Sequence, residues 1–229
     1  MAAHPTLSNA AACVFDAYGT LFDVSRLAEP CRVQIGDKTE ALVRLWREKQ
    51  LQYTWLRSLT GVHTDFWHVT GEALDYALAA INVDDPHLRS MLMQLYLEPP
   101  LHADAAATLS AIKGKRLRTA ILSNGSTTML AGAVNGHNLR SVLDLVLSVD
   151  EVQVFKPHPS VYKLATDKLG LAADRILFVS GNGWDAHAAR HAGMRVAWIN
   201  RLGLPRETLP SPPDFEIKSL SELPPLLGL

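Results

Sequence analysis

"VFDAYGTLFDV", residues 14–24, decides the reading of this chain. An apolar run stops at a carboxylate, Asp16, followed by a small residue, an aromatic one and Gly19-Thr20. The run "AACVFDA" (11–17) is continuous rather than alternating, the pattern of a strand buried on both faces of a parallel sheet. A carboxylate at such a strand end binds metal, caps a helix or acts as a nucleophile, and the rest of the chain must choose among these.

Four more runs of the same kind follow: "RTAILSN" (118–124), "LDLVLSV" (143–149), "DRILFVS" (174–180) and "RVAWIN" (195–200). Helical patterns at 126–136, 159–169 and 185–192 separate them, and Gly193 stands where a C-terminal cap is expected. Strand alternating with helix implies right-handed crossovers and a three-layer α/β, Rossmann-like parallel sheet. "DFEIKS" (214–219) is a candidate edge strand. Residues 22–100 break this rhythm, with helical patterns only, at 39–60, 70–82 and 87–97, until "LEPPLH" (97–102) interrupts them with two prolines. The expected organisation is an α/β core from residues 1–21 and 101–229, with a helical cap subdomain, 22–100, inserted after the first strand.

The composition narrows the function. The 229 residues are 48% hydrophobic and 20% charged, with net charge −1, ordinary values for a globular chain. That balance lacks the basic signature of a nucleic-acid binder. "MAAHPTLSNAA" has neither a basic region nor a long apolar core, so no signal peptide or membrane anchor is expected. The two cysteines, Cys13 and Cys31, belong to no CxxC or metal-ligand set. A reducing, cytoplasmic setting follows as the expectation.

In such sheets ligands bind beyond the carboxyl ends of the strands. The polar residues collect there: Asp16, Ser123-Asn124, Ser180 with Asn182, and Lys156 a few residues after the third strand. Singly, each has a plain structural role. A strand-end Asp or Ser is commonly a turn or cap residue, Lys156 a solvated side chain, Arg47 a paired surface charge, and Trp184 and Phe66 core. Asp185 near a helix start suits the dipole. Only the joint pattern points further.

That pattern resembles the haloacid dehalogenase superfamily and, within it, the L-2-haloacid dehalogenases. The resemblance runs through "FDAYGTLFDV" (15–24), "LWREKQLQYTWLRSL" (45–59), "AILSNGS" (120–126), "SVDEVQVFKPHPSVY" (148–162) and "FVSGNGWDAHAAR" (178–190). The first motif is shared with phosphatases of the superfamily; the cap segment and Ser-x-Asn-x-x-Asp are more specific to the dehalogenases. Those phosphatases place a second Asp two positions after the first, where this chain has Tyr18. A Mg²⁺ site draws on carboxylate oxygens, whereas here Lys156 supplies positive charge beside Asp16. No metal and no cofactor are therefore expected.

The resemblance implies covalent catalysis. Asp16, whose type ionises at about pH 3.9, attacks C2 of a 2-haloalkanoate, and water then hydrolyses the ester with inversion overall. It further implies that Arg47 and Asn124 receive the halide and that Ser123 binds the substrate carboxylate. Lys156 steadies Asp16. Thr20, Ser180, Asn182 and Asp185 orient it and the water, with Tyr162 in support. Ala17, Tyr18, Leu51, Phe66 and Trp184 line the substrate pocket and exclude water. The partners implied are a small 2-haloacid, water, halide and a second copy of the chain, to which the apolar run at 87–97 contributes. Two other readings stay open: a phosphatase of the superfamily, and a non-catalytic relative kept for binding.

Two local features complete the reading. His187 and His191 have the spacing of a zinc pair, but the accompanying Glu and a third ligand are missing, so a surface pair is expected. The resemblance implies a second Ser where this chain has Gly181, and that glycine is expected to loosen the loop that carries Asn182.

Overall fold

The computed structural model describes Leu7, residues 9–115 and residues 117–229; residues 1–6, which carry much of the stretch read for targeting signals, lie outside the described residues. Strands β1 (Ala12–Phe15), β2 (Arg118–Ser123), β3 (Leu145–Ser148), β4 (Ile176–Ser180), β5 (Arg195–Ile199) and β6 (Phe215–Ile217) form one sheet in the order β3-β2-β1-β4-β5-β6. All five pairings are parallel. Every residue of β1 and β4 is buried, which is why their sequences run apolar without alternation. Phe15 pairs with Ile121 on one side and Val179 on the other. Ser123 and Ser180 therefore end their strands beside Asp16, at the point where the chain turns from one half of the sheet to the other.

Helices α1 (Arg32–Ile35), α2 (Thr39–Thr60), α3 (Phe66–Ala80) and α4 (Pro86–Leu97) lie between β1 and β2. After them come α5 (Ala105–Gly114), α6 (Thr127–Gly136), α7 (Pro159–Leu169), α8 (Gly183–His191) and α9 (Leu223–Leu226). The α3 helix starts four residues ahead of the expected 70 because the Asp65 carboxylate accepts from His68 N–H. The α5 helix was not anticipated: its buried face, Ala105, Thr108, Leu109 and Ile112, is helical in spacing but weakly apolar. Gly170 ends α7 with φ 61°, and Gly193 follows α8 with φ 90°.

Buried α2 residues Leu42, Trp46, Gln50 and Thr54 form an i,i+4 stripe against α3. The stripe turns polar at Gln50. The α4 run at 87–97 buries Leu88, Leu92, Met93 and Tyr96 within the chain itself, so most of its apolar face is taken. Among the described residues no helix is long and apolar enough to cross a membrane. Cys13 and Cys31 are free and buried.

Candidate active site

Asp16 leaves the end of β1 with its backbone N–H held by Val179 O, and its side chain is 8% exposed. Oδ2 accepts from Thr20 Oγ1 at 2.8 Å and from Asn182 Nδ2 at 2.9 Å, while Oδ1 accepts from Lys156 Nζ at 3.0 Å. One carboxylate oxygen thus carries two donors and the other one. Thr20 Oγ1 also accepts the Gly181 N–H, and Asn182 Nδ2 also donates to Tyr18 O. Each donor is itself fixed by a second bond, so Asp16 is held from both sides.

Lys156 is buried, and its ammonium bridges Asp16 to Asp185 Oδ2, 2.8 Å away. Its own N–H donates to Asn124 Oδ1 at 2.8 Å. Asp185, fully buried in the first turn of α8, also accepts from Tyr162 OH at 2.7 Å and Ser180 Oγ at 3.0 Å. Burial works against the lysine's charge, but the carboxylates of Asp16 and Asp185 outweigh it and hold its pKa above the ordinary value. Burial pushes Asp185 up, against the pull of Lys156. Burial and then the Asp185 charge keep the Tyr162 proton on its phenol. The result is a cation shared by two carboxylates, of which only Asp16 keeps any exposure.

From α2, the half-buried Arg47 donates through Nη1 to Gln50 Oε1 at 2.7 Å. Its Nη2 reaches Tyr18 O and Asn182 Oδ1 at a looser 3.4 Å each. The Tyr18 ring lies 5.4 Å from that of Tyr96 and 6.0 Å from those of Phe22 and Phe66. Its hydroxyl is buried with no hydrogen-bond partner among the described residues, and burial raises its pKa far above the usual phenol range. Phe66 and Ala17 are buried, Leu51 and Trp184 half-buried. Trp184 meets Trp55 edge-on, ring centres 5.6 Å apart. Ser123 Oγ accepts the Gly125 N–H at 3.0 Å.

The structure thus brings Asp16, Thr20, Lys156, Tyr162, Ser180, Asn182 and Asp185 into one bonded network. Asn124 joins it through the Lys156 backbone, and Arg47 meets its edge from α2. Ser123 bonds to Gly125 and Trp184 packs on Trp55, both outside it. Gln50 and Tyr96 were missed; the readable signal was a polar residue on the buried stripe of α2, three residues after Arg47.

Two expectations are corrected. Gly181 does not loosen its loop: a Cβ there would stand 2.2 Å from Gly19 O, so the β1 and β4 loops close together through the space a side chain would need. His187 is not a surface residue. It is buried, with Nδ1 2.9 Å from Pro210 O, while His191 meets Ser211, so the pair ties α8 to the segment before β6. Among the described residues no three His, Cys, Asp or Glu side chains gather as a metal site.

Residues 10–193 match the haloacid dehalogenase-like hydrolases. The chain is 44% identical over 217 residues to (S)-2-haloacid dehalogenase 1 of Pseudomonas sp. (strain CBS-3), covering 94% of this chain and 96% of that one. It is 43% identical to (S)-2-haloacid dehalogenase 4A of Burkholderia cepacia, covering 95% and 94%. Among solved structures, it is similar to the L-2-haloacid dehalogenase of Xanthobacter autotrophicus with chloropropionic acid covalently bound. That likeness has TM-score 0.89 and 37% identity, over 96% of this chain and 98% of the other.

Proposed function

The chain belongs to the haloacid dehalogenase-like hydrolase family, and from that premise we propose that it hydrolyses short L-2-haloalkanoic acids to D-2-hydroxy acids through an ester on Asp16. The observation that carries this reading is a buried carboxylate held by Lys156, Thr20 and Asn182, with a tyrosine rather than a second carboxylate two residues on.

Oδ1 has a single donor and is the less encumbered nucleophile. It bonds to C2 from behind the carbon–halogen bond, and halide departs with the bonding pair, inverting C2. Oδ2 becomes the ester carbonyl oxygen, already facing Thr20 and Asn182. Water attacks that carbonyl carbon, negative charge gathers on Oδ2 where the two donors wait, and the acyl–oxygen bond breaks. The hydroxy acid leaves with an oxygen from Asp16, the carboxylate is restored and one proton is released.

The other residues take roles around this step. Asn124 has its oxygen engaged by the Lys156 N–H, which turns its amide nitrogen to the halide beside Arg47. Ser123, having accepted from Gly125, keeps its own proton for the substrate carboxylate. Ser180, Asp185 and Tyr162 hold Lys156 and the Asn182 loop. Ala17, Tyr18, Leu51, Phe66 and Trp184 wall the pocket beneath a cap formed by residues 22–100. The enzyme works without metal, as a cytoplasmic homodimer, and binds neither nucleic acid nor membrane.

The test is halide release from racemic 2-chloropropionate in EDTA, with chiral analysis, on the parent and on Asp16→Asn. Consumption of the L enantiomer alone, giving D-lactate, with Asp16→Asn folded and inactive, supports the reading. Turnover by unmodified Asp16→Asn overturns the nucleophile, and phosphoester hydrolysis that needs Mg²⁺ overturns the reaction class.

A further inference from the structure

Arg47 is tightly held at one end and loosely at the other, and the tight end rests on a buried polar group outside the network around Asp16. Gln50 is fully buried on α2. Its side chain makes three bonds: Arg47 Nη1 at 2.7 Å, Tyr96 OH at 3.0 Å and Thr70 Oγ1 at 2.7 Å. The orientation of the amide follows from proton counting. The one hydroxyl proton of Thr70 goes to Phe66 O at 2.6 Å, so Thr70 accepts from Gln50, and only Nε2 can donate. Oε1 must then face Arg47 and Tyr96, with both of its lone pairs used. Trp46 Nε1 donates to Thr70 O at 2.9 Å, which locks α3 to the same turn of α2. No member of this relay can rotate without leaving a buried polar atom unpaired.

The charge count is equally informative. Among the described residues the hydrogen-bond partners of Arg47 are all neutral: the Gln50 amide, the Tyr18 carbonyl and the Asn182 amide. A guanidinium bound through a neutral amide keeps its full positive charge for an anion. Its Nη2 contacts, at 3.4 Å, are longer than an ordinary N–H···O bond, so that end can be given up to an arriving group at small cost.

We propose that Gln50 is a positioning residue for halide departure: its amide oxygen fixes the Arg47 guanidinium without neutralising it, leaving the far nitrogen free for the leaving halide. This rests on the reading above that Arg47 receives the halide. Glutamate at this position keeps an oxygen for Arg47 and Tyr96 but cancels the charge and loses the donor to Thr70; methionine keeps the volume and removes the anchor.

The experiment compares Gln50→Glu, Gln50→Met and Arg47→Met with the parent. It measures kcat and KM on 2-chloro- and 2-bromopropionate, inhibition by sodium bromide, and folding by circular dichroism. For Gln50→Glu the expected result is a native spectrum, kcat down at least tenfold with KM within threefold, and bromide inhibition weakened at least tenfold. The chloro substrate, with the poorer leaving group, loses more than the bromo. Gln50→Met, which keeps the cation but loosens it, shows the kcat loss with a smaller change in bromide inhibition. If Gln50→Glu does not fold, Gln50→Met decides on its kcat and chloro-to-bromo ratio. Parent-like kinetics and bromide inhibition in a folded Gln50 variant, while Arg47→Met loses both, overturn the role of Gln50 alone. An Arg47→Met enzyme with unchanged turnover and bromide inhibition overturns the halide role of Arg47 itself.

Discussion

Replacing Lys156 by methionine removes the ammonium that Asp16 and Asp185 share, and the consequence can be worked from the geometry. The contacts are 3.0 and 2.8 Å, and the lysine side chain is 1% exposed. At an effective dielectric of about 20, each is worth roughly 6 kcal/mol of attraction, against several kcal/mol for burying the ion. Breaking a buried pair from one side costs about 3–5 kcal/mol, because the partner charge stays behind. Here two like charges stay behind. Urea unfolding at pH 8 should therefore show Lys156→Met less stable than the parent by about 3–5 kcal/mol.

The pH dependence has a defined sign. Without the ammonium, one of the two carboxyls binds its proton more tightly folded than unfolded. The native state then holds more protons, and stability falls as pH rises through that raised value. The deficit should accordingly shrink on going from pH 8 to pH 5. Lys156→Met/Asp185→Asn, with one carboxylate left, should recover at least half of it. Halide release should be lost in Lys156→Met, because Asp16 Oδ1 then loses the one donor that holds it. A deficit under about 1 kcal/mol, or one unchanged between the two pH values, would refute the argument.

Gly181→Ala places a methyl 2.2 Å from Gly19 O, so the β1 and β4 loops must part by about 1 Å, a misplacement that costs on the order of 100-fold in rate. A folded variant within twofold of the parent kcat would show that the closure of these loops has no bearing on the chemistry. Asp104 accepts from both Arg201 amino nitrogens, at 2.8 and 2.9 Å, and from Ser219 Oγ and Leu220 N–H. Burial alone would raise its carboxyl, but the Arg201 bonds bring it down to about 2. This stabilisation, about 2 kcal/mol, is present above the unfolded value of about 3.9 and disappears as pH falls toward 2. Asp104→Asn should thus be less stable at pH 7 by that amount, with the gap closing in acid; urea titrations at both ends check it.

Five of the strands were legible because sandwiched parallel strands leave continuous apolar runs, whereas β6, a short and half-exposed edge strand, was legible only as a candidate; the strand-end polar residues then came together by topology alone. Lys156 was legible only jointly with Asp16, since nothing local separates it from a solvated lysine before a proline. The α5 helix escaped because alanine and threonine fill its buried face. Gln50 escaped because α2 is polar enough for one more glutamine to pass as surface. The closure at Gly181 was out of reach: whether a glycine loosens a loop or admits another depends on what packs against it, here the carbonyl of a residue far away in the chain.

That distance has a consequence for assembly. Thr20 is near in the chain, but the other two partners of Asp16 lie 140 residues away at Lys156 and 166 at Asn182, so no short contiguous fragment contains the site. Its contacts are among the last that a folding chain can close. Half a sheet would leave the lysine buried beside too few anions, or exposed to water. Catalytic activity in this protein is thus a report on completed topology: turnover regained during refolding marks the chain whose two ends have met, and not merely one that has regained its helices.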